Sequence, residues 1–153
     1  MNNIAFRQFA DVSAEAMASL LNEDSLRTHL IEHPYFDAET VQAWMDEKAA
    51  VDAEAGCRIR AVMVGGELAG WCGIQPDEEG VELAVVISQR YWGVGVAVFK
   101  VMLTWARELG HEHVRFHLLD SRRDYRALRA MSSSVTESQM LGRTFTTYCI
   151  PVD

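Results

Sequence analysis

The run Arg90-Tyr91-Trp92-Gly93-Val94-Gly95 closes an apolar, strand-like segment and opens a helix-like one. A helix amino terminus presents N–H groups without intrahelical partners and a partial positive charge. Where glycine feeds that terminus, the main chain can wrap closely around an anion, most often a phosphate. Two glycines alone also suit a bare strand-to-helix turn. Two familiar phosphate loops are excluded by their residues. No Lys followed by Ser or Thr comes after the glycines, and Val98 stands where a dinucleotide loop has its third glycine. A second group is cationic: Arg115, Arg122, Arg123, Arg126 and Arg129 crowd one region of an acidic chain. These arginines fit either a phosphate contact or a solvated helix face paired with Asp120 and Asp124. His111, Glu112, His113 and His117 include no further ligand at a recognised metal-binding spacing, so no metal site is expected.

The elements that must hold the joint follow from hydrophobic periodicity. Ile4 to Phe9 alternates as a half-buried first strand, after which Asp11 and Ser13 offer cap oxygens to a helix carrying Met17, Leu20 and Leu21. A second helical region, "SLRTHLIEHPYF", is broken by Pro34, and Asp37 caps another helix with Val41, Trp44 and Met45 on one stripe. "RIRAVMV" and "ELAGWCGI" flank Gly65-Gly66, a hairpin signal, and "PDEEG" (Pro76 to Gly80) reads as the next turn. "VELAVVI" is apolar enough for burial on both faces. After the glycines, Val98, Phe99, Met102, Leu103 and Ala106 recur at helical spacing until Gly110. "HVRFHLL" alternates as a strand, "SRRDYRALRAM" is a short basic helix, and "GRTFTTYCIPV" is a final strand with a weaker one ahead of it.

The whole chain, 1–153, reads as one α/β (α+β) domain. Its mixed, mostly antiparallel central sheet has six to seven strands flanked by about four helices. Apolar residues make up 49% and charged residues 24%, an ordinary globular mixture. The formal net charge of -8 argues against nucleic acid and anionic lipid as partners. No segment reads as a membrane span or a signal peptide, and Cys57, Cys72 and Cys149 read as free thiols, so a cytoplasmic protein is expected.

Arg90-x-x-Gly93-x-Gly95, in this element order, resembles the Arg/Gln-x-x-Gly-x-Gly/Ala signature of the GNAT superfamily of acyl-CoA-dependent N-acetyltransferases. "YWGVG" is similar to the form seen in Rim-type members. The resemblance covers nearly the whole chain and implies acetyl-CoA as co-substrate, without a metal. It implies that main-chain N–H groups from Arg90 through Trp92, Gly93, Val94, Gly95 and Val96 to Ala97 hold the coenzyme pyrophosphate. Val86 and Ile87 would line the pantetheine arm, with Ser121 and Arg123 near the coenzyme. Val94 departs from the Arg or Lys common there, which removes a charge but no main-chain donor.

The same resemblance places Glu82 where many members carry a strand glutamate, some of which use it as a base; a half-exposed strand glutamate is the other reading. The tyrosine that protonates the departing thiolate has Leu128 at its position, which leaves Tyr125 and Tyr148 as candidate acids. The implied function is transfer of an acetyl group to a primary amine, on a protein amino group or a small molecule, by direct attack in a ternary complex. The alternative is a degenerate acyl-CoA-binding sensor of the same fold. The final strand, Thr144 to Ile150, is a candidate for pairing across a homodimer.

Overall fold

A computed structural model describes residues 3–23, 35–78, 80–119, 126–140 and 142–152. Seven strands form one sheet: β1 (Ile4–Arg7), β2 (Arg58–Val64), β3 (Glu67–Asp77), β4 (Gly80–Ile87), β5 (His113–Leu119), β6 (Ser134–Met140) and β7 (Arg143–Pro151). Four α-helices are described with them: α1 (Ala14–Leu21), α2 (Ala38–Asp52), α3 (Gly95–Glu108) and α4 (Arg126–Met131). The strand order is β1-β2-β3-β4-β5-β7-β6, and every neighbouring pair is antiparallel except β4 with β5. This is the mixed α/β sheet expected from the element order.

Local chemistry explains the boundaries. Ser13 caps α1 by accepting from the Ala16 N–H at 3.2 Å. Asp37 and Thr40 cap α2 reciprocally, and the Thr40 N–H and hydroxyl hold the Asp37 carboxyl below its usual value. Gly65 and Gly66 both take positive φ (60° and 86°), as the two-residue β2–β3 turn requires. The second helical region expected before Tyr35 lies outside the described residues.

Two boundaries differ from the sequence expectation. The first strand stops at Arg7, because the chain turns through a 3-10 segment, Phe9–Asp11, that buries Phe9. The expected turn from Pro76 to Gly80 is shorter, since β3 runs on through Asp77, which still pairs with Gly80. Asp77 is gripped from β5 by Arg115 and His117, which keeps the strand extended, and Gly80 takes up the reversal with φ 146°.

The sheet separates two cores. On one face, α3 packs Val98, Phe99, Met102 and Ala106 against Leu83, Ile87, Val114, Tyr148 and Ile150. On the other, α1 and α2 pack Met17, Leu20, Leu21, Val41 and Met45 against Ile59, Ala61, Trp71 and Val86. Burial on both faces matches the apolar character of β4. β7 lies between β5 and β6, so its backbone is already paired on both sides and the edge strands are β1 and β6. Dimer pairing through Thr144 to Ile150, as the sequence suggested, is therefore closed by the order of the sheet.

Candidate functional site

β4 and β5 pair over only two registers, Glu82 with Arg115 and Leu83 with Phe116. Beyond them each strand keeps its outer partner: β4 stays on β3 to Ile87, and β5 stays on β7 to Leu119. The two strands therefore part after Leu83, and the gap opens along Ala84 to Ile87. Val86 and Ile87, expected beside a coenzyme arm, are 7% exposed on the two opposite faces of β4, where each joins a different core.

The chain leaves β4 through Ser88, crosses a 3-10 segment from Gln89 to Val94, and enters α3 at Gly95. No side chain caps this helix. Neither Gly93 nor Gly95 takes positive φ, and a methyl group built on either would meet nothing within 4 Å. Neither the backbone nor the packing of this chain asks for glycine here; open space in front of the main chain is what glycine provides. Val94 is buried at 2% exposure, while Val96 is 68% exposed and Gly93 and Ala97 also face solvent. Trp92 belongs to the same turn.

Ser88 holds the joint from beneath. It is buried, donates to the Glu23 carboxylate at 2.9 Å, and accepts from the Tyr91 N–H with its carbonyl at 2.8 Å. Its hydroxyl oxygen also accepts from the Arg90 N–H at 3.4 Å. The Arg90 and Tyr91 amides are thus engaged within the turn, which leaves the uncapped first turn of α3, from Gly95, as the place for amides without intrahelical partners. The Arg90 side chain points back to β3, bonding the Tyr91 hydroxyl at 3.2 Å within 3.8 Å of Glu67. That hydrogen bond raises the Arg90 pKa above its ordinary value.

At the closed end of the gap, on the face covered by α1 and α2, lies a polar cluster. Glu82 in β4 accepts from Gln75 Nε2 in β3 at 2.8 Å on one carboxylate oxygen. Its other oxygen is 3.2 Å from His117 Nε2 in β5. The same ring nitrogen is 3.0 Å from Asp77 Oδ2, and His117 Nδ1 meets Thr147 Oγ1 in β7 at 2.8 Å. Arg115 reaches Asp77 Oδ1 at 3.3 Å. From α2, Lys48 donates to Gln75 Oε1 at 2.7 Å with its ammonium 4.9 Å from the Trp71 ring centre. Burial pushes the Lys48 pKa down, partly offset by Glu82 and Glu47. A cavity of about 170 Å³ opens onto Glu82, His117, Asp77, Arg115, Pro76 and Glu78.

This cluster can hold a carboxylate at a fixed point beside an open cavity, which suits a general base. Donor atoms of Asp77, Glu82 and His117 also fall within 4.8 Å of one another, close enough in principle for a metal ion. Hydrogen bonds among the three, with Gln75 and Arg115 on the carboxylates, account for their approach.

Sequence reasoning singled out Glu82 and missed the groups around it. Gln75, Asp77, Arg115 and His117 come from strands whose register is set by pairing, and His117 is 35 positions from Glu82. The one available signal was parity: Arg115 and His117 alternate on one face of β5, as Gln75 and Asp77 do on β3. Tyr148, a candidate acid, is 1% exposed in the core beneath α3, on the opposite face from Glu82. Leu128 packs against that same core, an apolar seat that a leucine fills. Ser121, Arg123 and Tyr125 lie outside the described residues. The aromatic residues Phe36, Trp44 and Trp71 pack with Phe9 into one cluster between helices and sheet, and Tyr35 is exposed at 60%.

The sequence profile of the acetyltransferase (GNAT) domain matches residues 3–127. No curated protein sequence matches the chain. Among solved structures, yncA from Salmonella typhimurium, determined with acetyl-CoA, superposes with a TM-score of 0.69 at 15% identity, over 100% of this chain and 95% of that one. RimL, a ribosomal L7/L12 alpha-N-protein acetyltransferase in complex with coenzyme A, gives 0.72 at 14% identity, over 98% and 94%. A GNAT-family acetyltransferase from Streptococcus pneumoniae gives 0.66 at 16% identity, over 98% and 99%. No helix of the described residues is long and apolar enough to cross a membrane.

Proposed function

This chain belongs to the GNAT acetyltransferase family, and from that premise we propose that it transfers an acetyl group from acetyl-CoA to a primary amine by direct attack. The observation that carries the reading is the parting of β4 from β5 directly ahead of the uncapped α3 terminus. The gap offers an extended thioester arm an unpaired strand edge, and the helix end offers its pyrophosphate main-chain amides and a favourable dipole. Two similar structures were determined with a coenzyme, yncA with acetyl-CoA and RimL with coenzyme A, and they support acetyl-CoA as the donor.

In this mechanism the strand edge and the amides position the thioester, and Glu82 removes the proton from the attacking amine, directly or through water in the adjoining cavity. Holding both reactants in one geometry supplies most of the acceleration, and proton transfer adds on the order of 10²–10⁴-fold. A main-chain N–H near Val86 or Ile87 would meet the oxyanion of the tetrahedral intermediate. The leaving thiolate derives from a thiol of pKa about 8.5, so the reaction proceeds without a dedicated acid. That fits Leu128 in the core and Tyr148 on the far face. The acceptor is an amine on a protein or a small molecule, and the acidic net charge of -8 favours a cationic one.

Acetyl-CoA is expected to raise the melting temperature saturably, and Gly95→Leu to abolish that rise while leaving the unliganded melting temperature within a few degrees. An unchanged rise in the variant sinks the coenzyme assignment of the glycine joint. Transfer is then screened with spermine, a serine-initiated peptide and aminoglycosides. Saturable binding without turnover on any of them favours the sensor reading, for which Leu128 in the place of a tyrosine is the observation.

A further inference from the structure

Both oxygens of Glu82 are held from neighbouring strands. Gln75 Nε2 donates to Oε1 at 2.8 Å from β3, and His117 Nε2 stands 3.2 Å from Oε2 on β5. A carboxylate held by two fixed donors keeps one orientation. Each donor is itself fixed. Lys48 donates to the Gln75 carbonyl oxygen at 2.7 Å, which leaves the Gln75 amide pointing at Glu82. Thr147 Oγ1 meets His117 Nδ1 at 2.8 Å, and Asp77 Oδ2 lies 3.0 Å from His117 Nε2.

Carboxylate oxygens accept hydrogen bonds, so the ring nitrogen between these two carries a proton, and wherever the ring is neutral its Nδ1 accepts from the Thr147 hydroxyl. We propose that His117 is a positioning residue whose Nε2–H binds Glu82 to Asp77 across three strands and fixes the base at the closed end of the β4–β5 gap. His117 is the first β5 residue beyond the paired stretch, so its side chain bridges where the backbone ladder has ended. Its own side chain is 8% exposed and that of Asp77 7%, so water competes little for these contacts. Among the described residues, the charged groups facing the ring are Asp77 from β3, Glu82 from β4 and Arg115 from β5. Glu78 lines the same cavity, and Lys48 acts through Gln75. Arg115 pairs with the Asp77 oxygen that His117 leaves, so the Nε2 proton serves two carboxylates without leaving Asp77 underbonded.

The proposal rests on Glu82 as the base, and its test needs no acceptor. Nitrogen NMR of the histidine rings, with His117 assigned by its loss in His117→Gln, reads the tautomer of the neutral ring. Protonation at Nε2 is expected; a neutral ring protonated at Nδ1 overturns the proposal. Carbon NMR of the Glu82 carboxyl group reads the clamp itself. In His117→Phe the Glu82 carboxyl resonance is expected to shift at fixed pH, because a hydrogen bond to one of its oxygens is lost. His117→Gln, which keeps an N–H donor on a side chain of similar reach, should reverse much of that shift. A Glu82 resonance that stays put in His117→Phe, with the folded state verified by the other resonances, also overturns the proposal. Failure of the base assignment is read separately, as full acetyl transfer by Glu82→Gln.

Discussion

Gly70, paired with Ile87 at the end of β4, and Gly95, at the start of α3, meet opposite surroundings. A methyl group at Gly70 would collide with the Val86 carbonyl oxygen and stand 2.9 Å from Ile87 Cα. At Gly93 and Gly95 it would meet nothing within 4 Å. The first glycine is needed by the chain itself, because β3 must lie tightly against the end of β4 for that strand to stay with β3 while β5 departs. The second pair answers no demand from the chain, which fits the proposed approach of a coenzyme from outside. A glycine is thus a packing device or a docking surface, according to what stands in front of the missing side chain.

The contrast is broken most readily at its crowded end. Gly70→Ala is expected to cost about 3 kcal/mol of unfolding free energy, since the clash is with backbone that cannot swing away. Urea unfolding measures it, and a cost under 1 kcal/mol would remove the distinction. Gly73→Ala gives a middle case. There the added carbon meets Ile59 Cδ1 at 2.5 Å and the Arg58 carbonyl oxygen at 3.0 Å. The isoleucine tip can turn aside but the carbonyl cannot, so about 1–2 kcal/mol is expected.

Gly95→Ala should reverse the sign, gaining about 0.5 kcal/mol by restricting the unfolded chain. In the same variant the melting shift given by acetyl-CoA should shrink. Stability and binding moving in opposite directions is the signature of a glycine kept for a ligand. The smallest effect concerns Lys48, crowded on its own face of the sheet. Burial lowers its pKa, so between that value and the ordinary 10.5 the unfolded chain binds more protons than the folded one. Stability therefore gains a contribution that rises with pH across this alkaline window, and Lys48→Met should remove it in urea midpoints compared across the range.

Much of the fold was legible because its signals are local. Ser13 and Asp37 cap helices where the sequence placed caps, Gly65-Gly66 makes the hairpin, and the weak segment before the last strand is β6. The misreadings came from contacts at a distance. Pro76 and Asp77 look like a turn, but Asp77 is drawn into β3 by Arg115 and His117, nearly forty positions away. The last strand looked available for a partner, but its place between β5 and β6 is a property of sheet order. Tyr148 looked like a spare acid until the parity of β7 put it beneath α3.

By itself the sequence determined the elements, the glycine joint and the position of Glu82, because periodicity, capping and a short motif act over a few residues. Which face Glu82 occupies, which side chains grip it and where β4 leaves β5 were decided only in three dimensions. Those features depend on strand register, and register is fixed by the packing of two cores on opposite faces of one sheet.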